Sequence, residues 1–134
     1  MAMLALWKLP FLLHVAIESA AIYFFAIRPE LQLSAKDCSP EASLVFRQYA
    51  ALLASSNIIC LAVILQPEHS LLSRHIALAL VVYHVFPCHR AWVRMQGAKA
   101  TGQDSRSVPL IKRPQAHLVA HVACCMPFVA TSCW

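Results

Sequence analysis

The sequence predicts an all-α fold, a membrane bundle of four transmembrane helices that forms a single domain over residues 1–134. Of the 134 residues, 60% are hydrophobic and only 13% are charged, and the mean hydropathy is +0.61. This composition is too apolar for an ordinary soluble domain of the same length. Four apolar stretches reach the length of about 20 residues that a helix needs to cross a bilayer. They cover residues 3–27, 43–65, 71–93 and 114–134.

Proline and serine residues mark the ends of the first two stretches. Pro10 lies near the start of the first helix, where a missing backbone N–H does least harm, and Pro29 follows its end. Ser39-Pro40 is a typical helix start and precedes the second stretch. Alanine and serine residues between positions 50 and 56 let neighbouring helices approach closely in lipid. We therefore expect the second helix to be an interior helix of the bundle.

The third stretch contains Pro87, which removes a helix hydrogen bond and is typical of a kink beside a cavity. The connection that we expect after it, residues 96–111, holds both glycines of the chain and three charged residues, Lys99, Asp104 and Arg106. Apart from these signals, the third and fourth stretches are apolar throughout most of their length. We expect each of them to cross the membrane once.

The net charge of +5 arises largely from basic residues beside the predicted helices. No basic and aromatic groove pattern accompanies them, which argues against nucleic acid as a partner. Basic residues are concentrated around the first and third connections, and cytoplasmic loops of membrane proteins are enriched in Lys and Arg. We therefore expect both termini on the lumenal side of the membrane, most simply that of the endoplasmic reticulum.

Glu18 interrupts the first apolar stretch one helical turn after His14. A carboxylate at the middle of a bilayer costs on the order of a few kcal/mol even on the most lenient scale, so such an acid is a functional hypothesis by default. An apolar environment favours the neutral form of a carboxylic acid, so we expect Glu18 to act as a Brønsted acid. His14 projects from the same helix face and can orient the carboxyl group or resupply its proton.

Polar residues of the other stretches fall at a similar predicted depth. Counting at about 1.5 Å per residue from the cytosolic helix ends places Glu18, His84 and His121 between about 11 and 14 Å below the boundary. His14 and Asn57 are expected in a second layer nearer the lumen. The route back to the cytosol would be lined by Arg47, Tyr49, His89 and His117. The sequence therefore predicts a polar cavity along the bundle axis.

Each of these residues also has a structural interpretation. A histidine or asparagine inside a membrane can be an interhelical hydrogen-bonding partner, and Glu18 itself can be bonded to such a residue. Arg47 can extend its guanidinium group to the interface. Aromatic residues such as Tyr83 and Trp92 can belong to the interfacial aromatic belt. Both interpretations of each residue stay open at this point.

Metal and haem sites are weaker alternatives. A b-type haem needs two axial imidazoles, but the four stretches contain no glycine that would let a porphyrin lie close to a helix. Zinc would have Glu and His as ligands but no tight ligand motif, and the six cysteines show no CxxC pair. We therefore expect no metal and no cofactor. The histidines considered for the haem are His14, His84, His117 and His121.

A set of polar residues recurs through the four stretches: His14-Val-Ala-Ile-Glu18, Arg47 to Asn57, Tyr83-His84 to Pro87 and Arg90, and His117-Leu-Val-Ala-His121. This pattern resembles that of the small integral membrane terpene cyclases of fungal meroterpenoid pathways, of the kind found in macrophorin biosynthesis. The resemblance implies protonation of a terminal olefin or epoxide of a prenyl chain and class II-like cyclisation without a metal. Soluble class II cyclases use an Asp-rich DxDD motif, which this sequence lacks, so Glu18 is left as the expected acid.

The resemblance also implies roles for individual residues. Glu18 would be the catalytic acid, and His14, His84 and His121 would tune it or relay protons. The partner would be a lipophilic prenylated small molecule that enters from the membrane. Aromatic faces would stabilise its cations, and polar groups would hold its oxygenated head group. The substrate-binding residues expected on this basis are Arg47, Tyr49, Asn57, Tyr83, His117 and Trp92.

Two other functions are compatible with the same residues. A membrane sterol-type double-bond isomerase also shuttles a proton in an apolar cavity. A non-catalytic accessory subunit or scaffold would use Glu18 only to pair helices.

Overall fold

The computed structural model describes residues 6–32, 39–100 and 113–133, and all regular secondary structure within them is helical. Each of the four α-helices is long and apolar enough to cross a membrane, which indicates an integral membrane protein. The predicted all-α fold with four such helices is therefore confirmed. The placement of the termini and the identity of the membrane stay predictions. The helices are α1 (Leu9–Ile27), α2 (Pro40–Ile64), α3 (Leu71–Ala100) and α4 (Pro114–Cys133).

Helix starts follow the capping chemistry in the sequence. The Ser39 hydroxyl accepts a hydrogen bond of 3.1 Å from the backbone N–H of Ala42, so α2 begins at the Ser39-Pro40 signal rather than at residue 43. At the start of α3, Ser70 and Ser73 cap each other: each backbone N–H donates to the other residue's hydroxyl, at 2.8 and 3.2 Å. Helices α2 and α3 thus begin where free N–H groups find a side-chain acceptor.

Helix α3 is longer than its apolar stretch. It continues to Ala100, well beyond residue 93, and it includes Gly97 and several basic residues. The expected connection over residues 96–111 therefore begins later, and residues 101–112 lie outside the described part of the chain. Hydropathy marks where a helix leaves the apolar layer, and the backbone can stay helical in water beyond that point.

The chain divides into two compact units, Met1–Glu68 and His69–Trp134. In the first unit α1 packs against α2. The start of α1 contacts the end of α2 through Lys8 Nζ and the Gln66 carbonyl oxygen at 2.6 Å, and the Phe25 ring lies 5.3 Å from that of Phe46. These contacts at opposite ends make α1 and α2 an antiparallel hairpin. The single domain of four helices stays a prediction.

In the second unit α3 packs against α4, again as an antiparallel hairpin. Arg74 Nε, near the start of α3, donates a 3.2 Å hydrogen bond to the carbonyl oxygen of Ser132, near the end of α4. The buried residues of α3 recur every three or four positions up to His84, which is the spacing of one helix face. They are Ser73, Ala77, Leu80 and His84, with Ala91 further along.

Helix α2 is not an interior helix, contrary to the sequence-based expectation. Its buried residues form one stripe, and Leu52 and Ile58 on its other faces are 67% and 68% exposed. Two of its small residues, Ala51 and Ser55, are exposed as well. Large apolar side chains on such faces suit contact with lipid.

Candidate acid–base site

Glu18 and His14 lie on the buried face of α1. Their side chains are 2% and 0% exposed, and they are four residues apart, so they project from the same side of the helix. The remaining residues of Leu9–Ile27 are apolar except Ser19 and Tyr23. The first unit therefore holds a carboxyl group and an imidazole one above the other in an apolar hairpin.

Helix α2 supplies hydrogen-bonding partners to this face. His14 Nε2 lies 3.2 Å from the Ser56 hydroxyl oxygen. Asn57 Nδ2 donates to the Ser19 hydroxyl oxygen at 3.2 Å and to the Val15 carbonyl oxygen at 3.4 Å. Asn57 is thus bonded to the residue after His14 and to the residue after Glu18. The predicted layer of His14 and Asn57 nearer the lumen stays a prediction.

Cys60 adds a thiol to the same hairpin. It is completely buried on α2, one helical turn after Asn57, and it lies within electrostatic reach of Glu18. A buried thiol of this kind packs as a small apolar group. Its proximity to Glu18 places the carboxyl group beside the buried stripe of α2.

The second unit holds a pair of imidazoles. The Nδ1 atoms of His84 on α3 and His121 on α4 are 3.1 Å apart, and their ring centroids are separated by 5.3 Å. The two histidines, which were predicted to lie at one depth with Glu18, are thus in contact; their depth in a membrane stays a prediction. A hydrogen bond between two Nδ1 atoms requires that one of them carries the proton and the other accepts it. The pair therefore shares a single proton along this contact.

Aromatic rings enclose His84, which has no exposed surface. The centroids of the stacked Phe128 and His84 rings are 5.9 Å apart, with an interplanar angle of 23°. The Tyr83 ring meets the His84 ring edge-on, with its centroid 4.9 Å away. His121 is half-buried, and His117, one turn before it, is half-buried as well and acts on it electrostatically. The second unit thus holds three imidazoles, of which that of His84 is buried and those of His121 and His117 are half-buried.

Two predicted substrate-binding residues lie away from these buried groups. Arg47 is exposed on α2, and the Trp92 side chain is 53% exposed on α3. Tyr49 is half-buried, with its ring 5.6 Å from that of Phe25 at the far end of the hairpin from His14. A long guanidinium side chain is expected to seek water, which accounts for the position of Arg47.

Sequence reasoning missed Ser19, Ser56 and Phe128 as neighbours of the site. Ser19 and Ser56 adjoin Glu18 and Asn57 in the chain, but small hydroxyl residues are common in membrane helices. Phe128 lies two turns after His121 on the same helix face, a spacing that any buried residue can have. None of the three has a signal that could have separated it from ordinary packing.

Comparison with known proteins identifies no relative of this chain: no protein-family model, no curated protein and no solved structure matches it.

Proposed function

We propose that this chain is an integral membrane terpene cyclase that protonates the prenyl chain of a lipophilic meroterpenoid precursor. The burial of Glu18, 2% exposed inside an apolar helical hairpin, is the observation that carries the proposal. Apolar surroundings favour the neutral form of a carboxylic acid, which can deliver its proton to a substrate that dissolves in the same apolar phase. The resemblance in the pattern of polar residues supports the choice of a prenyl substrate.

The proposed reaction is balanced without a cofactor. The Glu18 O–H proton adds to a terminal olefin carbon or an epoxide oxygen, and the resulting cation is closed by the electron pair of the next double bond. A base then removes a proton from carbon, so one proton enters and one leaves. The product is an isomer of the substrate, and no oxidant or reductant is consumed.

We propose that the histidines tune the acidity of Glu18 or relay protons. His14 lies one turn from Glu18 on α1, and the contact of its Nε2 with the Ser56 hydroxyl on α2 defines the orientation of its ring. In the second unit, the His84–His121 pair has a geometry suited to holding one proton and passing it along the contact. The apolar faces that the helices leave exposed are suited to lateral access from lipid.

The proposal is tested by supplying 2-farnesylphenol and its terminal epoxide to the purified protein in lipid nanodiscs. Cyclisation gives a product of the same mass. From the olefin, each new carbon ring consumes one double bond; from the epoxide, the first new carbon ring replaces the epoxide ring and each further ring consumes one double bond, as NMR can count. In D₂O the product of initiation at the olefin gains one deuterium on carbon.

The two alternative functions give different results in this assay. An isomerase yields a product of the same mass that retains every double bond and contains no new carbon ring. An accessory subunit yields no product alone but co-purifies with a larger protein. Either result contradicts the proposed cyclisation.

A further inference from the structure

The amide of Asn57 has hydrogen-bond partners at its nitrogen but none at its oxygen within the described residues. The side chain is only 7% exposed, and Nδ2 donates both of its hydrogen bonds to α1, at the Ser19 hydroxyl and the Val15 carbonyl oxygen. The Oδ1 atom is buried and has no hydrogen-bond partner within the described residues. Because buried amide oxygens almost always accept a hydrogen bond, this atom requires an explanation.

The orientation of the amide is fixed by its surroundings. A carbonyl oxygen such as that of Val15 can only accept, so the atom facing it must be the donor Nδ2. If the amide were turned around, two oxygens would face each other and both amide hydrogens would lose their partners. The Asn57 oxygen is therefore an acceptor aimed away from α1's Val15 and Ser19.

We infer that Asn57 Oδ1 is a binding site for the hydroxyl or N–H group of a lipophilic ligand. An acceptor selects for a donor, so an alcohol, a phenol or an amine satisfies it, whereas an ether, a ketone or an epoxide oxygen does not. Arg47, the other residue considered for an oxygenated head group, is exposed on α2. The inference deepens the proposed function and rests on it for the prenylated class of ligand.

The position of this acceptor relates the head group to the acid. Asn57 is bonded to residues 15 and 19, which bracket Glu18 on α1. Cys60, one turn further along α2, is small and completely buried. A ligand that donates to Oδ1 therefore has its polar group anchored within about one helical turn of the Glu18 carboxyl group.

Equilibrium binding tests the inference without turnover. The probes are 2-farnesylphenol, its methyl ether and farnesylbenzene, with dissociation constants expressed as mole fractions in nanodisc lipid. One buried hydrogen bond corresponds to a preference of about tenfold, so the wild-type protein should bind the phenol about tenfold more tightly than either other probe. Farnesylbenzene separates loss of the donor from the added bulk of the methyl ether.

Variants assign the preference to the oxygen atom. Asn57→Leu should abolish the preference for the phenol over farnesylbenzene. Ser55→Ala, at an exposed position of the same helix whose hydroxyl donates to the Ala51 carbonyl oxygen, is the matched control and should retain the preference. Equal binding of phenol and farnesylbenzene by the wild type would overturn the inference. A phenol preference that survives Asn57→Leu, or that is lost to the same extent in the control Ser55→Ala, would also overturn the inference.

The experiments distinguish failure of the proposed cyclisation from failure of the proposed Asn57 binding site. Cyclised product together with equal binding of the probes would leave the proposed function intact and remove only the donor site. A phenol preference without any cyclised product would retain the Asn57 site and remove the cyclisation.

Discussion

At the scale of single residues, the polar groups divide between those held in the apolar hairpins and those that reach water. Arg28 and Glu30 belong to the second class, just beyond the end of α1, where Arg28 Nε lies 2.7 Å from Glu30 Oε1. Both side chains are about half exposed, so this ion pair contributes little to stability. The ion pair positions two opposite charges beyond the end of α1 but adds little to the free energy of unfolding.

The Arg28–Glu30 contact gives a prediction about titration. The hydrogen bond from Arg28, supported by the charges of Arg28 and Arg47, holds the pKa of the Glu30 carboxyl below its ordinary value. A lowered folded-state pKa stabilises the fold at pH values above the unfolded-state pKa, and this small contribution is lost as the pH falls through the lowered value. Arg28→Gln should therefore raise the Glu30 pKa toward the ordinary range, as measured by NMR titration.

Arg28→Lys is the matched variant for this titration because it keeps the charge while removing the Nε donor. The pKa of Glu30 should then lie between its values in the wild type and in Arg28→Gln. An unchanged Glu30 pKa in Arg28→Gln would contradict the assigned cause.

At the scale of helices, the positions of the four helices were easier to predict from the sequence than the contacts between them. The four apolar stretches located all four helices, and the Ser39-Pro40 signal located the start of α2. The end of α3 at Ala100 was not predictable from hydropathy, because a helix can continue after it leaves the apolar layer. Neighbours across a hairpin, such as Ser56 for His14, depend on helix rotation and register, which residue types alone do not specify.

The pairing of α3 with α4 gives a second prediction, which concerns the shared proton. At neutral pH one Nδ1 of the His84–His121 pair should be protonated and the other unprotonated, because the two atoms are 3.1 Å apart. Solid-state ¹⁵N NMR of the protein in lipid should show both types of Nδ1, with a nitrogen–nitrogen coupling across the bond. His121→Asn should abolish the coupling.

His75→Gln is the matched control for the histidine pair, since His75 is exposed on the same helix as His84. This variant should leave both Nδ1 signals and their coupling unchanged. Two protonated or two unprotonated Nδ1 atoms at neutral pH, without coupling, would contradict the shared proton.

At the scale of the whole molecule, the chain combines an apolar exterior with a few buried polar groups in each hairpin. The composition predicted the membrane class directly, because 60% hydrophobic residues with 13% charged ones cannot form an ordinary soluble surface. The sequence also singled out Glu18, because it is the one acidic residue within the four predicted stretches, and its side chain is buried in the structure. Partners such as Ser19 and Phe128 emerge only from the folded hairpins.

The central claim is that the buried Glu18 carboxyl group is the proton donor, and the rate of cyclisation by Glu18→Gln tests it most directly. Glutamine keeps the size and hydrogen-bonding capacity but cannot donate an acidic proton, and general acid catalysis contributes about 10²- to 10⁴-fold. Glu68→Gln, at an exposed position outside the helices, is the matched control.

The account predicts that Glu18→Gln accumulates in the membrane at the wild-type level and loses at least about 100-fold in turnover, while Glu68→Gln turns over normally. Turnover by Glu18→Gln close to that of the wild type would contradict the account.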